Sequence, residues 1–267
     1  MNANAITKYT WISYTAIRSN LAYLGEVLSR TTFMAVILYT FMRLWTVVYS
    51  GTGTERLGGL TLQQMIWYVM LTESMVLSSV RVSSEIDEDV RTGRIAVQLL
   101  RPLSFSMSRL AQVIGERTVR FAVNIFIGSV VATLLVGPIS ISFAGIAMLL
   151  LVLPLAFVLD FLGYFGIGLC AFWLESTNGL VLIYSRFTML LGGMLLPMEV
   201  FPQGLQSIAK WLPFAGIIYG PARVFVSPDK AMLLHIMATQ AIGLICFGAT
   251  VWLVQRIAIA RIQSNGG

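Results

Sequence analysis

The chain has 267 residues, 57% hydrophobic and 11% charged, with a formal net charge of +6 and a mean hydropathy of +0.81. Soluble domains carry about 25% charged residues, so this composition excludes an ordinary soluble domain and points to a membrane protein. Its apolar runs are continuous and do not alternate, which argues against a porin-like barrel.

The first element, ITKYTWISYTAIRSNLAYL, mixes Tyr9, Trp11, Tyr14 and Tyr23 with Lys8 and Arg18. The cations interrupt it and no apolar core precedes a small-residue cleavage site, so it is not expected to be a secretory signal. The mixture suits a helix over residues 1–28 lying in the membrane interface, with a soluble amphipathic lead-in as the alternative.

A helix needs about 20 apolar residues to cross the hydrocarbon core. Six runs are expected to cross, at roughly Thr31–Ser50, Leu62–Val80, Thr118–Val136, Phe143–Phe172, Leu180–Leu196 and Leu233–Val254. The expected fold is one all-α membrane domain over residues 1–267. Arg43 falls in the first run and Glu73 in the second, where ionisable groups are expensive. They could pair, either lining a translocation route or fixing helix register.

The segment from residue 82 to 108 is unlike the rest. SSEIDEDVRTGRIAVQLLRPLS gathers Glu85, Asp87, Glu88 and Asp89 with Arg91, Arg94 and Arg101. Ser84 is a plausible N-cap, and the acids in the first turns complement the helix dipole. Ile86 and Val90 share a face, Gly93 interrupts, and Ile95, Leu99 and Leu100 form a second apolar pattern that ends at Arg101-Pro102. Two short amphipathic helices result. They either lie on the membrane or dock on another protein; an acidic front disfavours an anionic leaflet and favours docking.

In the fourth run Asp160 lies near Gly163, Gly166 and Gly168, a surface suited to close helix packing. The fifth contains Arg186 and ends in Met189, Met194 and Met198, adaptable apolar surface that could serve a variable substrate or simply face lipid. Pro197 and Pro202 stop this run, and Leu205, Ile208, Trp211 and Leu212 form a short amphipathic helix before Pro213. GIIYGPARVFV is apolar but too short, and too broken by Gly220-Pro221, to cross. A re-entrant or interfacial hairpin over residues 197–230 fits best, a loose external loop being the alternative. His235 stands alone, and Cys170 and Cys246 read as packing residues.

Orientation follows from the cations. Lys8, Arg18 and Arg30 precede the first run; Arg81, Arg91, Arg94, Arg101, Arg109, Arg117 and Arg120 follow the second; Arg256 and Arg261 end the chain. The opposite side holds Arg56, Lys210, Arg223 and Lys230. Both termini and the charged segment are therefore expected in the cytoplasm, and the basic balance needs no nucleic-acid partner.

The segment with Glu85, Gly93, Leu99, Leu100, Arg101 and Pro102 resembles the cytoplasmic coupling helix of the ABC type-2 transporter permeases. A second stretch, GGMLLPMEVFPQGLQSIAKWLPF, is similar to that family's end of span five and its external hairpin at Gly192, Gly193, Pro197, Phe201, Pro202, Leu205 and Pro213. The resemblance implies six spans, an interfacial N-terminal helix, and contact from the segment over Glu85–Pro102 to a separate ATPase subunit that binds ATP and Mg. It implies a second permease, identical or related, packed through spans one and five, and residence among the lipids of a bacterial inner membrane. Arg43, Glu73, Met189 and Met194 are the candidates for the path.

No phosphate-binding loop, nucleophilic triad or metal-spaced cluster occurs, so no catalysis or cofactor is expected of this chain. The expected function is export of an amphiphilic substrate (drug, lipid or glycan) driven by the ATPase. The rival is a stand-alone ion-coupled transporter or channel using Arg43, Glu73 and Asp160. Paired broken helices would favour that rival. Only the second half carries one, since SGTGTERLGG after the first run is short and polar. A membrane scaffold is a third option.

Overall fold

The helix α3 (Leu62–Leu77) is apolar on every side, and Met65 to Met75 are all buried. A helix of that kind belongs in a core. Thr61 starts it by accepting from the Gln64 backbone, while the Gln64 side chain accepts from the Thr61 backbone. In this computed structural model, residues 3–22, 24–140 and 142–265 are described, with side chains over 6–22, 25, 32–140 and 142–259. Tyr23 lies outside the described residues, as do the side chains of Arg30 and Arg261.

Around α3 are α1 (Ala3–Ala22), α2 (Leu24–Thr52), α4 (Val82–Arg91), α5 (Arg94–Leu99), α6 (Phe105–Val136), α7 (Phe143–Leu169), α8 (Asn178–Leu191), α9 (Gln203–Ala209), α10 (Gly220–Val226) and α11 (Lys230–Asn265). Among the described residues every element is helical except an antiparallel bridge between Leu57 and Leu60. Among the described residues four stretches are long and apolar enough to cross a membrane: Thr32–Thr52, Phe105–Val136, Phe143–Phe172 and Lys230–Ile259. The second and fifth expected spans fall short. With 16 residues in α3 and 14 in α8, neither reaches the length of about 20 that a crossing needs.

Antiparallel packing of α3 and α6 is fixed at both ends. Trp67 Nε1 donates to the Gly137 carbonyl at 3.1 Å, and Arg120 Nη1 to the Ser79 carbonyl at 3.3 Å. Helix α1 crosses α6 at Gly115, where a Cβ would stand 2.4 Å from the Ser13 carbonyl. Ser13 Oγ donates to the Ala111 carbonyl at 2.7 Å, while Ile6, Trp11 and Tyr14 stay exposed.

The expected break at Gly220-Pro221 is absent. Helix runs through it from Ala215 to Val226, widening to a π turn over Ala215–Tyr219. Proline lacks the N–H that a regular turn would use, and local π geometry is one way a helix accommodates it. A Cβ at Gly216 would lie 2.9 Å from Gln240 Cγ, and one at Gly220 2.6 Å from Ile236 Cγ2, so these small residues let α11 approach. Gln240 Nε2 then donates to the carbonyls of Val152 and Gly216, joining α7, α11 and this segment.

Candidate functional site

Two short helices do form in the charged segment. Ser84 is not the cap: α4 begins at Val82, and Ser84 lies exposed inside its first turn. Gly93 does separate the helices, at φ +72°, and its amide donates to the Val90 carbonyl. A left-handed residue here is what glycine supplies without steric penalty.

The faces of α4 differ from expectation. Ile86 is fully buried against Gly168 of α7, where a Cβ would be 3.0 Å from the Ile86 side chain. Asp87 and Asp89, on opposite flanks of Ile86, are also covered, each 5% exposed. Arg109 of α6 holds Asp89 through Nη2 and Glu85 through Nη1, the latter at 3.2 Å. Gln98 Nε2 donates to Asp89 at 2.8 Å, and Arg94 reaches Asp89 at 3.2 Å and Glu88 at 2.7 Å. Arg91 stands 4.0 Å from Asp87. Glu85, Asp87 and Asp89 were expected on a partner-facing surface. Glu85 and Asp89 instead clamp α4 to α6 through Arg109, because a buried carboxylate needs its counter-charge. Asp87 is turned inward and meets only Arg91 of its own helix among the described residues. Burial raises the Glu85 pKa from its ordinary value, with Arg109 opposing.

What α4 and α5 leave outside is different. Glu88, Arg91, Arg94, Arg101 and Pro102 are exposed, and between them stand Val97 at 64% and Leu100 at 85%. Leu99 packs inward with Ile95.

The expected pairing of Arg43 with Glu73 is also absent. Arg43 is exposed on α2, whereas Glu73 is 3% exposed inside α3, and no ion pair joins them among the described residues. Asp160 pairs with Arg117 at 2.5 Å, a partner that sequence reasoning had counted only towards orientation. This pair lines a cavity of about 50 Å³ with Met189, Ser185 and Thr188 of α8. Met194 packs nearby with Leu159, Ile217 and Ile218, so Met189 and Met194 share one cluster from which Arg43 is remote.

At the other end, α8 stops at Gly192 and Gly193, the latter at φ +66°, and the Met194 amide closes onto the Met189 carbonyl at 3.0 Å. Tyr68 and Thr72 of α3 donate to the Gly193 and Met194 carbonyls. Pro197 is buried and Phe201 packs on the main core, while Pro202, Leu205 and Trp211 are exposed and Pro213 is partly covered. Trp211 meets His235 edge to face at 4.8 Å. Glu199 accepts from Tyr219 Oη at 2.7 Å and from Arg223 Nε at 2.8 Å, pinning the hairpin to the segment before α11. Sequence reading missed this network, because its partners are separated by a turn and a helix.

Among the described residues no group of three or more metal-ligating side chains is gathered. The site is a charged segment bonded to α6 and packed on α7, carrying an exposed apolar ridge. Residues 34–266 match a family described as ABC-2 family transporter protein. No curated protein sequence matches the chain.

Proposed function

The chain belongs to the ABC-2 family of transporter proteins, and on that premise we propose that it is the permease subunit of an ATP-driven exporter. A separate ATPase subunit would bind ATP and Mg, and a second permease would complete the path. Both termini and the α4–α5 segment face the cytoplasm of a bacterial inner membrane in this reading, as the distribution of arginines favours. Helices α3, buried by its neighbours, and α8, which leaves Leu182, Ile183, Phe187 and Leu190 outward, serve as the two short spans, and residues 197–230 form an external re-entrant hairpin.

The observation that carries the reading is the construction of α4 and α5. Arg109 ties α4 to α6, and Ile86 seats it on α7 at Gly168, so a push on the segment moves two long helices together. The exposed ridge of Val97 and Leu100, flanked by Glu88, Arg91, Arg94 and Arg101, suits a partner that presents an apolar groove with charged edges. Gly93 and Pro102 set its limits. Hydrolysis can drive transport only if the ATPase binds two permease conformations with different affinity. The apolar cluster around Met189 and Met194, beside a cavity of only about 50 Å³, would have to open to pass an amphiphilic substrate, and flexible methionines suit such a surface.

Affinity capture of the tagged chain from native membranes tests this. An ATPase subunit should be recovered with the wild type and lost with Leu100→Asp, which disturbs no buried contact. Transport that persists after every ATPase partner is removed would overturn the reading.

A further inference from the structure

We propose that the cavity between α1, α5 and α6 binds a phosphate group, presented by an anionic amphiphile of the membrane surface. This goes beyond the transport reading and does not depend on it. The cavity has a volume of about 220 Å³ and is lined by Arg101, Arg109, Gln98 and Gln112, with Ile12 and Phe105 among its apolar members.

The polar groups have an uneven account. Arg91 faces Asp87, Arg94 holds Glu88 and Asp89, and Arg109 holds Glu85 and Asp89. Three arginines thereby serve all the carboxylates of α4, and Arg101 has no carboxylate partner among the described residues. Gln98 is committed on both sides, its amide nitrogen donating to Asp89 and its oxygen accepting from Arg109. Gln112 Oε1 also accepts from Arg109, at 3.4 Å. Arg109 thus uses the acceptors of both glutamines, while the Gln112 amide N–H groups and the Arg101 guanidinium remain as donors. With both glutamine acceptors spent on Arg109, these free donors favour an anion, and a guanidinium fork matches phosphate geometry.

The apolar residues say what carries that phosphate. Ile12 belongs to α1, whose exposed Trp11 and Tyr14 suit headgroup depth. Lys8, exposed one turn before Ile12, lies on the same face of α1 and adds positive charge to that side of the helix. Ile12, Leu103 and Phe105 then give the glycerol and first methylenes of a lipid an apolar surface that inorganic phosphate would not use.

The purified full chain in detergent is offered equal amounts of short-chain phosphatidylglycerol and phosphatidylcholine, and retained lipid is counted by native mass spectrometry. The wild type should retain phosphatidylglycerol in preference by about tenfold, as one charge-assisted contact gives. Arg101→Gln and Gln112→Glu should each abolish that preference, while Arg256→Gln, a cation over Trp252 on α11, should keep it. Addition of inorganic phosphate separates the sources. No displacement identifies the lipid headgroup, and displacement at matched concentration identifies free phosphate at the same donors. Undiminished preference in both cavity variants overturns the proposal. The isolated chain is measured, so failure here is distinct from failure of ATP coupling.

Discussion

Arg117 Nη1 on α6 donates to Asp160 Oδ2 on α7 at 2.5 Å, with the two side chains only 4% and 5% exposed. The same guanidinium sits 4.3 Å over the Phe157 ring and reaches the Met75 carbonyl at 3.4 Å, so α3, α6 and α7 meet on one side chain.

Removing one partner from such a pair leaves a buried charge uncompensated, which costs roughly 3–5 kcal/mol. Asp160→Asn and Arg117→Met should each lower the thermal unfolding temperature in detergent by several degrees. The double variant Arg117→Met/Asp160→Leu should regain much of the loss, because apolar replacement of both members is often neutral. Additive losses in the double variant would show that the two residues act independently.

A second prediction concerns the seat of α1. At Gly115 an added Cβ would meet the Ser13 carbonyl at 2.4 Å, and backbone cannot turn away as a flexible side chain can. Gly115→Ala should therefore lift α1 from α6 and loosen its backbone, so that trypsin cuts after the already exposed Lys8 and Arg18 faster than in the wild type. Gly204→Ala in α9, with nothing within 4 Å of the new Cβ, should leave the cleavage rate unchanged.

Glu85 supplies a pH dependence. Burial raises its folded-state pKa, the Arg109 guanidinium opposes this, and Glu116 and Asp89 add to the rise while Arg120 opposes it. Between the unfolded value, about 4.3, and the raised folded value, the folded chain binds the proton more readily. Stability consequently falls as pH rises through that window, and the penalty is complete above it. The unfolding temperature of Glu85→Gln should show a shallower fall across the window than the wild type. Parallel curves for the two proteins would remove Glu85 from the account.

Sequence pattern was sufficient where the cause is local. Gly93 and Pro102 bounded the short helices, because each acts through its own backbone geometry. It failed where the cause is distant. Arg117 and Asp160 are separated by a long helix and a turn, and nothing near either position points to the other. Glu73 sat where a pair with Arg43 was plausible by depth alone, but depth says nothing of the side of the helix. The length of α3 was also overread, since Ser78 begins a turn two residues before Val80, where the expected run ended. The fifth run was overread too, since it was expected to continue to Leu196 and stop at Pro197, whereas α8 ends at Leu191 before Gly192 and Gly193.

The acidic run illustrates both cases and yields the last prediction. Successive helix residues turn by about 100°, so measured from the buried Ile86 the neighbour Val90 lies about 40° away and Asp89 about 60° on the other side. Glu88 lies about 160° away, facing out. The Ile86–Val90 stripe already contained the answer, had the charges been placed on the same wheel. Arg109 then makes the inward position of Asp89 tolerable, and Glu88 meets only Arg94 at the surface. Glu88→Lys should change stability by no more than about 0.5 kcal/mol, as exposed substitutions do. Asp89→Lys would put a cation against Arg109 and Arg94 in a buried position and should unfold the segment, seen as new proteolysis between α3 and α6. If α4 were instead an acidic surface awaiting a partner, the two reversals would be alike in stability and alike in loss of the captured ATPase. The clamp predicts that they separate, with Asp89→Lys unstable before any partner is added.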